Sequence, residues 1–193
     1  MTRLPVVLAG GDLPLAELHA ARLDGEVYPL DDCFSPVDAL ERTTSRALVI
    51  RSSWDTRFIA EQRSAAWVWG AQPSPPRPHE LCTGIQTRVR QPPPYEATVR
   101  EVVVDEHDLT RVAGVWVTTP LRTVTDLARF SAVFDATEAV VVKALMTIGR
   151  FSLEECAVAL DKHRNLPHKR QAWRRLVTVH TLVAELQAAI SPS

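Results

Sequence analysis

Cysteine is scarce in this chain. Cys33, Cys82 and Cys156 are an odd number without a CxxC pair, so no disulfide framework is expected and reduced thiols are the natural reading. Long apolar runs are missing too. The opening MTRLPVVLAGGD is cut by Gly10, Gly11 and Asp12 before the core length of a signal peptide. No other window approaches the roughly 20 apolar residues a membrane-spanning helix needs. An excess of one charge is also lacking: the formal net charge is -1, so nothing global steers the chain to nucleic acid or membrane. GxSxG, Walker A, HExxH and GxGxxG are absent, and the six histidines show no i, i+4 pairing. His79, Glu80, Leu81 and Cys82 have the residue types of a zinc deaminase's first ligand region, but the spacing is wrong and no PCxxC follows. No catalytic residue, metal ligand or cofactor is therefore assigned from motifs.

What is present is an ordinary globular composition over 193 residues, 46% hydrophobic and 23% charged, enough to bury a core. Charge is unevenly placed. Up to Glu41, eight acidic residues face only Arg3 and Arg22, whereas Lys162, Arg164, Lys169, Arg170, Arg174 and Arg175 cluster late in the chain against Asp161. The expected setting is the bacterial cytoplasm.

Val115 to Phe130, VWVTTPLRTVTDLARF, organises the rest. Val115, Trp116 and Val117 favour a strand, and Pro120 ends it because proline has no N–H to donate. Thr119 followed by Pro120 reads as helix cap and first helical residue. Leu121, Val124, Leu127 and Ala128 then make one apolar face, with Arg122, Thr123, Asp126 and Arg129 off it. The turn lacks the glycines that let a phosphate approach, so it reads as a fold nucleus rather than an anion site.

Ahead of it, Leu13, Ala16, Leu18 and Ala21 suggest a helix capped by Asp12 and closed at Gly25. Val27 to Leu30 and Phe34 to Val37 suggest two short strands about Asp31 and Asp32, a helix and hairpin like the tail of a winged helix. Arg46 to Ile50 reads as a strand and Thr56 to Gly70 as a helix. Trp67 and Trp69 beside small residues read as core rather than a base-stacking platform. Pro73 to Pro78 is a stiff connection. Glu80 to Ile85 and Thr98 to Val104, separated by Pro92, Pro93 and Pro94, read as strands of a small mixed sheet that also holds Val115 to Thr118. Asp105, Glu106, His107 and Asp108 are the densest set of metal-ligand types but lack a calcium-loop spacing, and they read as a solvated turn.

The remainder is helical. Asp135 with Glu138, and Ser152 with Glu155, are capping-box patterns ahead of helices that end at Gly149 and about His163. Pro167 opens a last helix with Trp173, Leu176, Val179, Leu182, Val183, Leu186 and Ile190 on one side. Its first turns carry Lys169, Arg170, Arg174 and Arg175, cations that oppose the helix macrodipole and are the candidate DNA-binding residues. The expected fold is α+β, with a partial winged-helix-like segment over residues 1–42. Over residues 43–193 follow the mixed sheet, its flanking helices and a C-terminal helical region.

Three stretches resemble a known family: VAGVWVTTPLRTVTDLAR from Val112 to Arg129, RSAAWVWGA from Arg63 to Ala71, and LPHKRQAWRRL from Leu166 to Leu176. In this order they resemble the actinobacterial AbiEi-type antitoxins of type IV toxin–antitoxin systems. The resemblance implies a cytoplasmic antitoxin and transcriptional regulator whose partners are operator DNA and a nucleotidyltransferase-type toxin. Members of that family usually begin with a complete winged helix-turn-helix, whereas this front end is short and acidic. The alternative is a metal-dependent nucleic-acid-processing enzyme using Asp105, Glu106 and Asp108. It is disfavoured because no acidic residue followed by Glu-x-Lys appears. The operator, the toxin and the oligomeric state are not legible.

Overall fold

The computed structural model describes residues 5–162 and 166–190. Arg3, His163 and Arg164, and the side chain of Ile190, lie outside the described residues. The elements run α1 (Leu15–Leu23), β1 (Val27–Leu30), β2 (Cys33–Pro36), α2 (Thr43–Ser53), β3 (Ile59–Ala60), α3 (Gln62–Trp69), β4 (His79–Gly84) and β5 (Ala97–Val102). After a 3-10 turn at Glu106–Asp108 come β6 (Leu109–Val112), β7 (Val115–Thr118), α4 (Pro120–Phe130), α5 (Ala136–Gly149), α6 (Leu153–Asp161) and α7 (Lys169–Ile190). The fold is α+β: β1 and β2 form a hairpin, and the other strands form one mixed sheet in the order β5-β4-β3-β7-β6.

The passage from Val115 to Phe130 folds as its sequence dictates. Thr119 is the N-cap of α4 and its Oγ1 accepts the Arg122 N–H at 3.3 Å, with Pro120 in the first turn. Val124, Leu127 and Ala128 are buried as expected. Thr123, Asp126 and Arg129 are buried as well, so the polar flank of the helix faces protein, not water. Helical spacing separates apolar from polar positions, but it does not say whether a second element covers the polar side.

Two assignments between Arg46 and Gly70 are corrected. Arg46 to Ile50 lies inside helix α2, not in a strand. The Arg42 N–H donates to Ser45 Oγ at 2.8 Å, which anchors the start of the helix. Ala47, Val49 and Ile50 are buried, so tertiary packing overrides the β preference of Val49 and Ile50. Arg46 reaches out of α2 to the carbonyls of Trp67 and Gln72, at 2.6 and 3.2 Å, and so caps the end of α3. Thr56 to Gly70 is not one helix. Ile59 and Ala60 are the short central strand, antiparallel to β4 and parallel to β7, and the helix begins only at Gln62. A fully buried apolar run has no alternation, so its period cannot separate strand from helix. Gly70 closes α3 at φ 86°, a left-handed conformation suited to glycine.

The remaining differences are smaller. The hairpin's second strand starts at Cys33, and Asp12 accepts the Ala9 N–H at 2.9 Å instead of capping α1. β5 shares the sheet with β7 but pairs with β4, in parallel; β7 lies between β3 and β6. β6, not foreseen, pairs antiparallel with β7. Asp135 caps α5, while the Glu138 carboxylate turns away to Arg63 and Ser131. The Ser152–Glu155 capping box at α6 forms as expected. α7 starts two residues after Pro167, and it buries Ala172, Leu176, Val179 and Val183 while Trp173 stays 41% exposed.

Two cores meet at α3. Ala65, Trp67 and Val68 pack with α2 and the sheet, and Ala66 packs with α4, α5, α6 and α7. Trp67 is a core residue and the Trp69 indole N–H donates to the Thr118 carbonyl at 2.8 Å, so neither forms a stacking platform. A smaller cluster of Leu8, Leu18, Val27 and Phe34 holds α1 to the hairpin.

Candidate functional site

Buried charge concentrates where β5 meets α4. Asp126, fully buried, accepts from Arg122 Nε at 2.7 Å and Arg129 Nη1 at 3.0 Å, and Arg100 Nη2 stands 4.0 Å away. Arg100 comes from β5 and is held by the buried Glu61 through two bonds of 2.6 Å. Arg122 also donates to Asp108 at 2.6 Å. Burial pulls the Arg122 guanidinium down, but Asp126 and Asp108 together outweigh it and hold its pKa above the ordinary value. Arg129 is held below its ordinary value, first by burial and then by the nearby Arg122 and Arg100, against Asp126. Arg100 and Arg129 both lie over the Phe130 ring, 4.3 and 4.4 Å from its centroid. These groups form part of the wall of a cavity of about 520 Å3 between β5, α4 and α6, with Lys162 and Asp105, 3.2 Å apart, also lining it.

A second constellation was not legible in the sequence. The His79 ring has Ser64 Oγ 3.0 Å from Nδ1 and Asp31 Oδ2 2.8 Å from Nε2. Ser64 Oγ also accepts the Glu80 N–H at 2.9 Å, so a Ser64 proton directed to Nδ1 and a His79 proton directed to Asp31 satisfy every partner. Hydroxyl, imidazole and carboxylate are the parts of an acyl-transfer triad, but Ser64 is 0% exposed and His79 1%, with Trp54 and Trp67 against the ring. No substrate carbonyl reaches that hydroxyl. The chain of bonds instead clips the hairpin turn to β4, helped by Arg77, which donates to Asp31 and Asp32 at 2.6 and 2.7 Å. Hydrogen bonding from Arg77 holds the Asp32 carboxyl below its ordinary value.

The three cysteines are buried and free. Burial raises the thiol pKa of each, that of Cys156 to about 12, which leaves them unreactive. Asp105, Glu106 and Asp108 do not converge: Asp108 is held by Arg122, Asp105 by Lys162, and no metal-sized group of His, Cys, Asp or Glu occurs among the described residues.

The candidate DNA-binding residues sit at the start of α7. The Arg170 and Arg174 side chains are exposed and have no ion pair or hydrogen bond among the described residues. They line a shallow depression with His168, Lys169 and Leu166. Lys169 is paired with Asp161. Arg175 turns inward, its Nη1 donating to the Ala128 carbonyl at 3.1 Å and its guanidinium lying 5.4 Å from the Phe134 ring centroid. No helix among the described residues is long and apolar enough to cross a membrane.

No family model and no curated protein matches this chain. Among solved structures it is similar to the crystal structure of the RV2827C protein from Mycobacterium tuberculosis, at 15% identity and a TM-score of 0.43, covering 91% of this chain and 71% of that one. A likeness of that size assigns neither family nor function.

Proposed function

We propose that this chain is a cytoplasmic, non-enzymatic regulator of the antitoxin kind, contacting DNA through the first turns of α7 and acting beside a nucleotidyltransferase-type toxin. The observation that carries the reading is the exposed pair Arg170 and Arg174. Cations there oppose the helix macrodipole and, with no carboxylate partner among the described residues, are suited to an anionic backbone. The three stretches that carry the family resemblance support it, because they pack on one another: α3 on α4, and α4 on α7. With the hairpin turn clipped to β4, the N-terminal segment is not free to enter a groove, so contact through α7 alone would be weak and indifferent to sequence.

Anisotropy titrations of a labelled duplex at several salt concentrations test this. Two contacts, from Arg170 and Arg174, give a slope of log affinity on log salt of about -2 and weak binding, with a Kd on the order of 100 µM near physiological salt, and Lys169 adds to it only by leaving Asp161. Arg170→Ala with Arg174→Ala should flatten the slope by about 2. Arg175 is left unchanged because its replacement would also disturb packing on α4. Absence of binding at low salt, or binding indifferent to the double change, removes α7 from any DNA interface.

A further inference from the structure

Each of the three arginines around Asp126 keeps one nitrogen without a hydrogen-bond partner among the described residues. These are Nη1 of Arg100, Nη2 of Arg122 and Nη2 of Arg129. All three side chains line the same cavity. Guanidinium groups fixed by carboxylates on one side and open on the other are suited to grip a planar or tetrahedral anion, since their geometry is set before it arrives. Asp126, Glu61 and Asp108 neutralise the three guanidinium groups as they stand, so a guest would be held by the directional N–H groups left over rather than by an excess of positive charge. Burial first, and then repulsion from Arg122 and Arg100, hold Arg129 down, and an entering anion would offset the second of these. Leu121, Phe130, Val102 and Leu166 give the wall an apolar part beside the charged Asp105, Asp108 and Lys162, and about 520 Å3 holds one small molecule rather than a polymer.

We propose that this cavity binds a small organic anion, its phosphate or carboxylate among Arg100, Arg122 and Arg129 and its apolar or aromatic body against Phe130, Leu121 and Leu166. The cavity meets the depression at the start of α7 only at Leu166 and shares none of its cations, so either reading can fail without the other.

Thermal melts of the full chain with phenyl phosphate, inorganic phosphate and benzyl alcohol test it. At a concentration about tenfold above a Kd of about 1 mM, phenyl phosphate raises the melting temperature by about 3 to 6 °C, and the other two raise it by much less. Val103 stands 71% exposed on the cavity wall, where a substitution leaves the core intact. Val103→Glu should weaken phenyl phosphate about threefold to tenfold by repulsion, and Val103→Lys should strengthen it. Ala159→Phe, which fills the cavity from α6 and removes no charged group, should abolish the shift. No shift with phenyl phosphate overturns the proposal. An equal shift with benzyl alcohol overturns the role of the arginines, and an equal shift with inorganic phosphate that of the apolar wall. Responses unchanged in both Val103 variants place the ligand elsewhere and overturn the proposal too.

Discussion

Replacing Asp126 with asparagine removes one charge and almost no volume at the point where three guanidinium groups converge. The carboxylate is fully buried and accepts from Arg122 and Arg129, with Arg100 4.0 Å away. Asparagine keeps one acceptor oxygen, but its amide group would face an N–H donor, and the three cations would lose the anion between them. Breaking a buried ion pair by removing one partner costs about 3 to 5 kcal/mol, because the remaining charge stays desolvated. For a chain of this size about 1 kcal/mol moves the melting temperature by 2 to 4 °C, so Asp126→Asn should lower it by about 6 to 20 °C. Thermal melts and urea unfolding measure the loss. Repetition in about 1 M salt distinguishes a buried network from a surface one, since a screened surface interaction fades there and this one should not. A loss below about 1 kcal/mol, or one that vanishes in salt, would falsify the view that Asp126 anchors α4 to β5.

The cap and core of α4 separate by size: Thr119→Ala should cost about 1 kcal/mol and Leu127→Ala about 2 to 5, and melts in which both match the parent would make the stretch a functional loop. Burial holds the Glu80 carboxyl above its ordinary 4.5, outweighing the Arg63 N–H it accepts at 2.7 Å. Its contribution is therefore full below that value and lost as pH rises through the raised pKa, so Glu80→Gln should match the parent near pH 4 and exceed its stability near pH 7. Parallel unfolding curves with no pH-dependent gap would refute that sign. Because Asp105 and Asp108 already hold Lys162 and Arg122, melts with and without chelator should coincide. A shift on chelation, or a divalent-dependent nuclease activity lost with Asp108→Ala, would favour the enzyme reading instead.

The sequence by itself determined those features whose cause is local. The strand end at Pro120, the Thr119 cap, the Ser152–Glu155 box and the glycine stop of α3 each depend on a few neighbouring residues, and each forms as the chemistry of those residues requires. The α+β class followed from the same signals in series. The tertiary structure decided what depends on partners far along the chain. Val49 and Ile50 are helical because α2 is covered by α3 and the sheet, against their own β preference. Ile59 and Ala60 are a strand because β4 and β7 pair with them on both sides. Asp126, Arg129 and Glu138 look like surface charges in a helical pattern; Asp126 and Glu138 are buried because Arg100, Arg122 and Arg63 reach them from other elements or turns, and Arg129 because Asp126 and the Pro167 carbonyl accept its N–H groups. The Ser64–His79–Asp31 chain and the arginine-lined cavity join residues tens of positions apart. A spacing pattern registers only neighbours within a turn or two, whereas charge burial and cavities are set by which distant surfaces close over them.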